Sequence, residues 1–489
     1  MLWFALKGGA RMAFSGPKLC GMSALEVVGL LKRGEISPDE ALNAALTRIR
    51  EVERQVNAIP TLDERRARRA AARVSREAPL AGLPIAIKDL TPVAGMRTTW
   101  GTPALADHVP DVSDPLVTHL EAQGAVVIGK TNTPEMGAGG NTFNAVFGPT
   151  LNAWDTRLNA GGSSGGAAVA LATGELWLAH GSDHGGSLRT PAAFNGVAGL
   201  RPSPGRVVSG PGEAAFAQEG VQGPMARSVA DLALLLDAMA GFDPVSPLSF
   251  PSRSGEFQTA VARADKGQGP PPRIAFAPDL GGFAPVEPEM AAALAAGLEK
   301  VAAAGARVEE VRPDLPYLER TYHALRGRMW ATMARRLPDR VRRQFKPVLA
   351  ENIRFGEALS MGEMADAELD RSVIYANMRA LLSDFDVLAC PVTGCMPRPQ
   401  SEEWVREVAG QPHPGYMDWL RFAFLATVTG LPAMSVPLGP GPRGLPVGLQ
   451  LIGRPRGEAG LLAVARHVEM AVGGPLGPID PNEARGADA

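Results

Sequence analysis

Three short stretches of this 489-residue chain carry residue types that could make or break a covalent bond. Lys88 ends the apolar run Pro84-Ile85-Ala86-Ile87 and precedes Asp89. A lysine ending a buried strand must have its charge solvated, paired or neutralised. Two readings stay open: an ion pair with Asp89 or another acid, and a desolvated amine whose lowered pKa makes it a base. The run Gly161-Gly162-Ser163-Ser164-Gly165-Gly166 sets a serine pair among four glycines. Such a run allows unusual dihedrals and close backbone approach, with a tight packing turn as the plain alternative. Gly181-Ser182-Asp183-His184-Gly185-Gly186-Ser187-Leu188-Arg189 precedes Thr190-Pro191, which can open a helix. A loop of this kind points several N–H groups one way, as an oxyanion hole requires, with Ser187 at its end as nucleophile.

The elements that must position these stretches show in the hydrophobic pattern. Ser37-Pro38-Asp39-Glu40 is a capping box with proline at the first helical position, and Ala41, Leu42, Ala45, Leu46, Ile49, Val52 and Val56 follow at helical spacing. Strands are expected at Leu83–Ile87, Ala125–Ile128 and Leu176–Ala179, and helices at Pro115–Gln123 and Ala167–Ala172. This alternation points to an α/β architecture with a largely parallel sheet. Residues 313–380 read as mostly helical, and late strands are expected at Asp386–Ala389, Ala433–Val436 and Gly448–Ile452. No linker divides the chain cleanly. The expected organisation is an extension at 1–21, one large domain at 22–480 with an excursion near 245–345, and a tail at 481–489.

Composition narrows the function. Forty-nine basic against 51 acidic residues leave a net charge of −2, which argues against bulk electrostatic binding of nucleic acid or anionic membranes. The arginines between Leu62 and Ala78 are diluted by Asp63, Glu64 and Glu77 and read as a solvated helix face. Three cysteines (Cys20, Cys390, Cys395) give no disulfide framework and no zinc site, and with no apolar stretch of membrane-spanning length a cytoplasmic protein is expected. Two motifs match only on paper. Gly124-Ala-Val-Val-Ile-Gly129-Lys130-Thr131 fits the phosphate-loop pattern, but its four variable positions are themselves a strand and no helix follows. Gly162-Ser163-Ser164-Gly165-Gly166 contains G-x-S-x-G, yet the glycines on both sides suit an irregular serine-bearing loop better than a nucleophile elbow.

Taken together, Lys88, Gly161–Gly166 and Gly181–Arg189 resemble the amidase signature family. The resemblance extends to Gly129–Glu135, Gly199–Arg206, Gly223–Asp231, Thr429–Ala433 and Gly444–Gln450, so that roughly residues 22–475 fit. It implies an α/β fold with a large central twisted mixed sheet covered by helices on both faces. It further implies Ser187 as nucleophile, Ser163 as a bridging serine held on a cis peptide bond, and Lys88 as the base that takes a proton from Ser163. The backbone N–H groups of His184, Gly185, Gly186 and Ser187 would hold the oxyanion. His184 stands where many relatives carry threonine or a small or aliphatic residue, and a pocket-lining role is expected for its ring. Asp183 and Arg189 are expected to brace the loop. The implied reaction is hydrolysis of carbon–nitrogen bonds in linear amides through an acyl-enzyme, without metal or cofactor, by a monomer or homodimer acting on a small-molecule amide. An apolar or aryl amide is the expected substrate, with nylon-type oligomers, esters, anilides or carbamates as further possibilities. The substrate loop is expected at Met136, Gly137, Ala138, Gly139, Gly140 and Asn141, with Phe143, Phe147 and helices of 313–380 around it. An amidotransferase subunit working in a complex is disfavoured by the Val207–Phe216 stretch, and a non-catalytic assembly subunit by the presence of all three catalytic positions.

Overall fold

Strands that are buried along their whole length belong in a sheet covered on both faces. Pro84–Lys88, Val126–Thr131 and Pro446–Gly453 are of this kind, with every residue buried. The computed structural model, which describes residues 14–210 and 214–482, places them in a sheet of 11 strands. In chain order these are β1 (Thr61–Leu62), β2 (Pro84–Lys88), β3 (Val126–Thr131), β4 (Leu178–Asp183), β5 (Ala198–Arg201), β6 (Val221–Ala226), β7 (Arg273–Phe276), β8 (Arg307–Glu310), β9 (Val387–Pro391), β10 (Ala433–Pro440) and β11 (Pro446–Gly453). Their spatial order is β1-β3-β2-β4-β6-β5-β10-β11-β9-β7-β8.

The sheet is mixed, as the family resemblance implies, which corrects the largely parallel sheet expected from the helix–strand alternation. β3, β2 and β4 run parallel, as do β9, β7 and β8, but β4-β6-β5-β10-β11-β9 are joined antiparallel. For β10 and β11 the reason lies in the connection. Pro446 follows Pro440 after a short turn, and a short connection forces an antiparallel return, whereas β2, β3 and β4 are separated by enough chain for a crossover. Both faces are covered. Gly448 packs against Ala193 and Gly453 against Leu461. These two positions differ by an odd number of residues, so they face opposite sides of β11.

The helices packed around the sheet include α1 (Pro38–Val56), α2 (Gly165–Ala172), α3 (Arg189–Asn195), α4 (Leu318–Ala334) and α5 (Met361–Asp384). α1 begins in the expected capping box, with Ser37 and Glu40 bonding each other's backbone N–H. The arginine-rich helix is shorter than the expected span, Glu64–Ala71, and its side chains pair with acids: Arg68 with Asp39 and Glu64, Arg66 with Glu121. Residues 14–21 pack on the domain, with Trp177 Nε1 donating to Leu19 O at 3.0 Å. Residues 1–13 of the expected extension and 483–489 of the expected tail lie outside the described residues. No helix among the described residues is long and apolar enough to cross a membrane.

Candidate active site

β2 delivers Lys88 to the interior at its C-terminal end, where it is fully buried. Its neighbour does not pair with it. Asp89 lies 3.6 Å from Lys130 on β3, at a strand end, and accepts from Thr99, and among the described residues no other carboxylate forms an ion pair with Lys88. The Lys88 Nζ instead lies 2.8 Å from Ser163 Oγ, 2.8 Å from Ser164 Oγ and 3.1 Å from Ser182 Oγ. Burial lowers its pKa from an ordinary 10.5 to about 7, against an opposing pull from Asp183. Hydroxyl groups satisfy a neutral amine without demanding its charge, so the amine can rest with a free lone pair. The Lys88 N–H donates to His180 Nδ1 at 3.2 Å, which puts the imidazole proton on Nε2, 2.7 Å from Gln222 Oε1. His180 is thereby held neutral, its pKa pushed down to about 3 by burial.

The serine pair sits at the entrance to α2, and the Gly162–Ser163 peptide bond is cis. A Cβ on Gly162 would come within 2.9 Å of Gly139 O and 3.1 Å of Asn141 N. Only glycine lets the 139–141 backbone approach Ser163 this closely. Ser163 lines a cavity of about 110 Å³, and Ser187 lines the same cavity. Ser164, although equally close to Lys88, is fully buried and does not line it.

β4 is longer than the expected Leu176–Ala179 and runs through Gly181 and Ser182 to Asp183, so part of the glycine-rich stretch is strand. Asp183 then organises the turn. Its carboxylate accepts from the N–H groups of Gly186 at 3.1 Å and Leu188 at 3.0 Å and pairs with Arg189 at 2.8 Å and Arg201 at 3.4 Å. The two guanidinium groups hold its pKa well below the ordinary carboxylate range, against the effect of burial. The expected bracing role of Asp183 and Arg189 agrees with this geometry. One expected oxyanion donor is already engaged: the Gly186 N–H is bonded to Asp183. Among the described residues, the N–H groups of His184, Gly185 and Ser187 have no acceptor.

A family model described as Amidase matches residues 40–462. A glutamyl-tRNA(Gln) amidotransferase subunit of Moorella thermoacetica is 38% identical over 92% of this chain and 96% of its own. The acylamidase of Rhodococcus erythropolis is 33% identical over 92% of this chain and 95% of its own. Among solved structures, a bacterial aryl acylamidase of the amidase signature family superposes with a TM-score of 0.84 at 29% identity, covering 92% of this chain and 96% of that one. The chain belongs to the amidase signature family. It is a hydrolase of carbon–nitrogen bonds.

Around the cavity of this amidase the expected substrate loop is divided. Met136, Gly137 and Gly139 line it. Ala138 does not line it but packs in an apolar cluster with the wall residue Trp330, Gly140 abuts Trp419, and Asn141 Nδ2 donates to the carbonyls of Gln400 and Glu402. Phe143 lies under Lys346 Nζ and Phe147 beside Arg97, and neither lines the cavity. Helix α4 of the 313–380 region does supply a wall, through Arg326, Met329 and Trp330, and Met417 and Leu420 close it from a later segment. Those five residues escaped the sequence reading, since nothing in their local pattern distinguishes them from an ordinary helix face. The His184 ring lies in the wall, with its pKa pushed well below 6.5 by burial and by Arg326. A second, larger cavity of about 450 Å³ shares Leu90, Met136, His184 and Trp330 with the first.

Proposed function

We propose that the amidase hydrolyses linear amides with an apolar or aryl group through an acyl-enzyme formed on Ser187. The observation that carries this reading is a fully buried lysine amine, poised near neutrality, 2.8 Å from a serine that shares a cavity wall with Ser187. Neutral Lys88 takes the Ser163 proton while Ser163 takes the Ser187 proton. The Ser187 Oγ–carbonyl carbon bond forms, and the N–H groups of His184, Gly185 and Ser187 hold the carbonyl oxygen as its charge develops. The C–N bond then breaks as Ser163 gives a proton to the leaving nitrogen and is resupplied by the Lys88 ammonium. Water attacks the acyl carbon, its proton passes through Ser163 to Lys88, and Ser187 leaves with a proton returned along the same path.

Apolar walls at Met329, Trp330, Met333 and Leu90 support an apolar or aryl substrate, with activated esters as side substrates. A panel of p-nitroanilides and p-nitrophenyl esters tests the reading: the purified chain alone should turn over both. A second reading, an amidotransferase subunit working in a complex, is favoured by the 38% identity to one such protein. Release of ammonia from glutamine only when a partner protein is present, without anilide turnover by the chain alone, would select it.

A further inference from the structure

Arg326 is a buried cation without a buried anion. It is 5% exposed, and among the described residues no carboxylate pairs with it. Four of the other five buried arginines have a carboxylate: Arg48 reaches Asp480, Arg189 and Arg201 reach Asp183, and Arg206 reaches Glu458. The fifth, Arg227, has none but donates to the carbonyls of Leu171, Leu176, Cys20 and Met22, whereas Arg326 donates to no carbonyl. A buried charge short of partners is costly, and at a cavity wall a ligand group can supply the partner that the chain does not. The guanidinium donates to Tyr416 Oη and, at 3.5 Å, to His184 Nδ1, and it lies 5.3 Å from the Trp330 ring centroid. A guanidinium can only donate, so His184 Nδ1 accepts and the imidazole proton sits on Nε2.

Three residues of the catalytic cavity wall therefore carry N–H groups that have no acceptor: Arg326 at Nε, His184 at Nε2 and Trp330 at Nε1. Donors without acceptors, grouped about one positive charge, call for a ligand group that is anionic and offers more than one oxygen. A carboxylate meets this with a single charge and a planar pair of oxygens matched to the guanidinium fork. A cavity of about 110 Å³ leaves room for a small group of this kind beside the scissile bond, and the adjoining space of about 450 Å³ takes the larger apolar remainder.

We propose that Arg326, with His184 and Trp330, forms a carboxylate subsite, so that this amidase selects amides bearing a carboxylate close to the scissile bond. The proposal rests on the Ser187–Ser163–Lys88 reading for its place in the reaction, but the subsite can be measured without turnover. Calorimetry on the Ser187→Ala protein should be run with matched ligands: an N-acyl-4-aminobenzoate against its methyl ester, and succinic monoanilide against its methyl ester. The acid of at least one pair should bind about 10-fold or more tightly than its ester, in keeping with a charge-assisted hydrogen-bonded pair. Adding Arg326→Gln should bring that ratio to about one, and Arg326→Lys should recover part of it. Trp330→Phe, which removes only the indole N–H, should reduce the ratio even if the arginine variants fail to fold. Equal binding of acid and ester in both pairs by the Ser187→Ala protein overturns the subsite. So does a preference that survives both Arg326→Gln and Trp330→Phe. A carboxylate preference that depends on Arg326, in an enzyme that hydrolyses none of these amides, upholds the subsite and counts against the hydrolytic reading instead.

Discussion

Replacing Lys88 by methionine keeps an unbranched side chain out to the ε carbon and removes the amine, and the buried site gives the size of the effect. An amine with a pKa of 10.5 would be neutral in only ~3 molecules in 10⁴ at pH 7, whereas one at about 7 is neutral in roughly half of them. Burial thus multiplies the available base by ~10³, equivalent to ~4–5 kcal/mol at ~1.4 kcal/mol per pKa unit. The sign follows from the base role. Below about 7 the amine is protonated and cannot accept from Ser163, so kcat/KM for a p-nitroanilide should fall roughly 10-fold per pH unit there and level off above. The two histidines near the site should not contribute, because burial holds His180 near 3 and His184 well below 6.5. Lys88→Met should lower anilide turnover by ~10³-fold or more and lose this titration. Turnover of a p-nitrophenyl ester should fall less, since its leaving group needs no proton. A Lys88→Met enzyme that keeps anilide turnover, or a bell-shaped profile that disappears in a His184 variant, would remove Lys88 from the base role.

Ser187→Ala should cost ~10⁴-fold or more in turnover with an unchanged circular dichroism spectrum, while Ser164→Ala, outside the cavity wall, should cost under about 10-fold; the reverse order would move the chemistry to the other serine of the pair. Iodoacetamide and chelators should leave activity intact while sulfonyl fluorides abolish it, because Cys20, Cys390 and Cys395 are buried with thiols pushed up to about 12; activity lost to EDTA and restored by zinc would contradict this. Gly166→Ala should destabilise the fold by at least ~2 kcal/mol in denaturant titration. Its Cβ would lie 2.4 Å from Asn132 N and 2.5 Å from Ala58 O, backbone atoms that cannot yield, and this outweighs the ~1 kcal/mol of helix propensity gained. An unchanged midpoint would show that the α2 entrance has slack.

The parts legible in the sequence were those fixed over short distances along the chain. Lys88 ends an apolar strand, the serines sit among glycines, and the Gly181–Arg189 stretch joins a strand to a helix; each signal is contained within about ten residues. The mixed sheet was not legible from alternation, because pairing direction depends on which distant strands become neighbours, such as β5 beside β10. His180 was passed over although it lies on β4, since only the fold brings Gln222 and the Lys88 N–H to its two nitrogens. Arg326 and Trp330 were hidden for the same reason. In a locally basic helical region, one arginine differs from the next only by what it meets across the cavity.

The chain divides its labour by sequence position. Lys88, Ser163, Ser187, Asp183 and the arginines that hold it all lie between β2 and β5, on strand ends and tight turns locked by backbone contacts. Beside Leu90, Met136 and His184, the side chains that shape the space above them come from α4 and from residues 417–420, which reach the cavity from outside the sheet. Variation in those two segments can therefore reshape the guest without touching the residues of the proposed proton path. For directed evolution this makes positions 326, 329, 330, 417 and 420 a compact library, one in which most members should keep the ability to be acylated while their choice of acyl donor drifts.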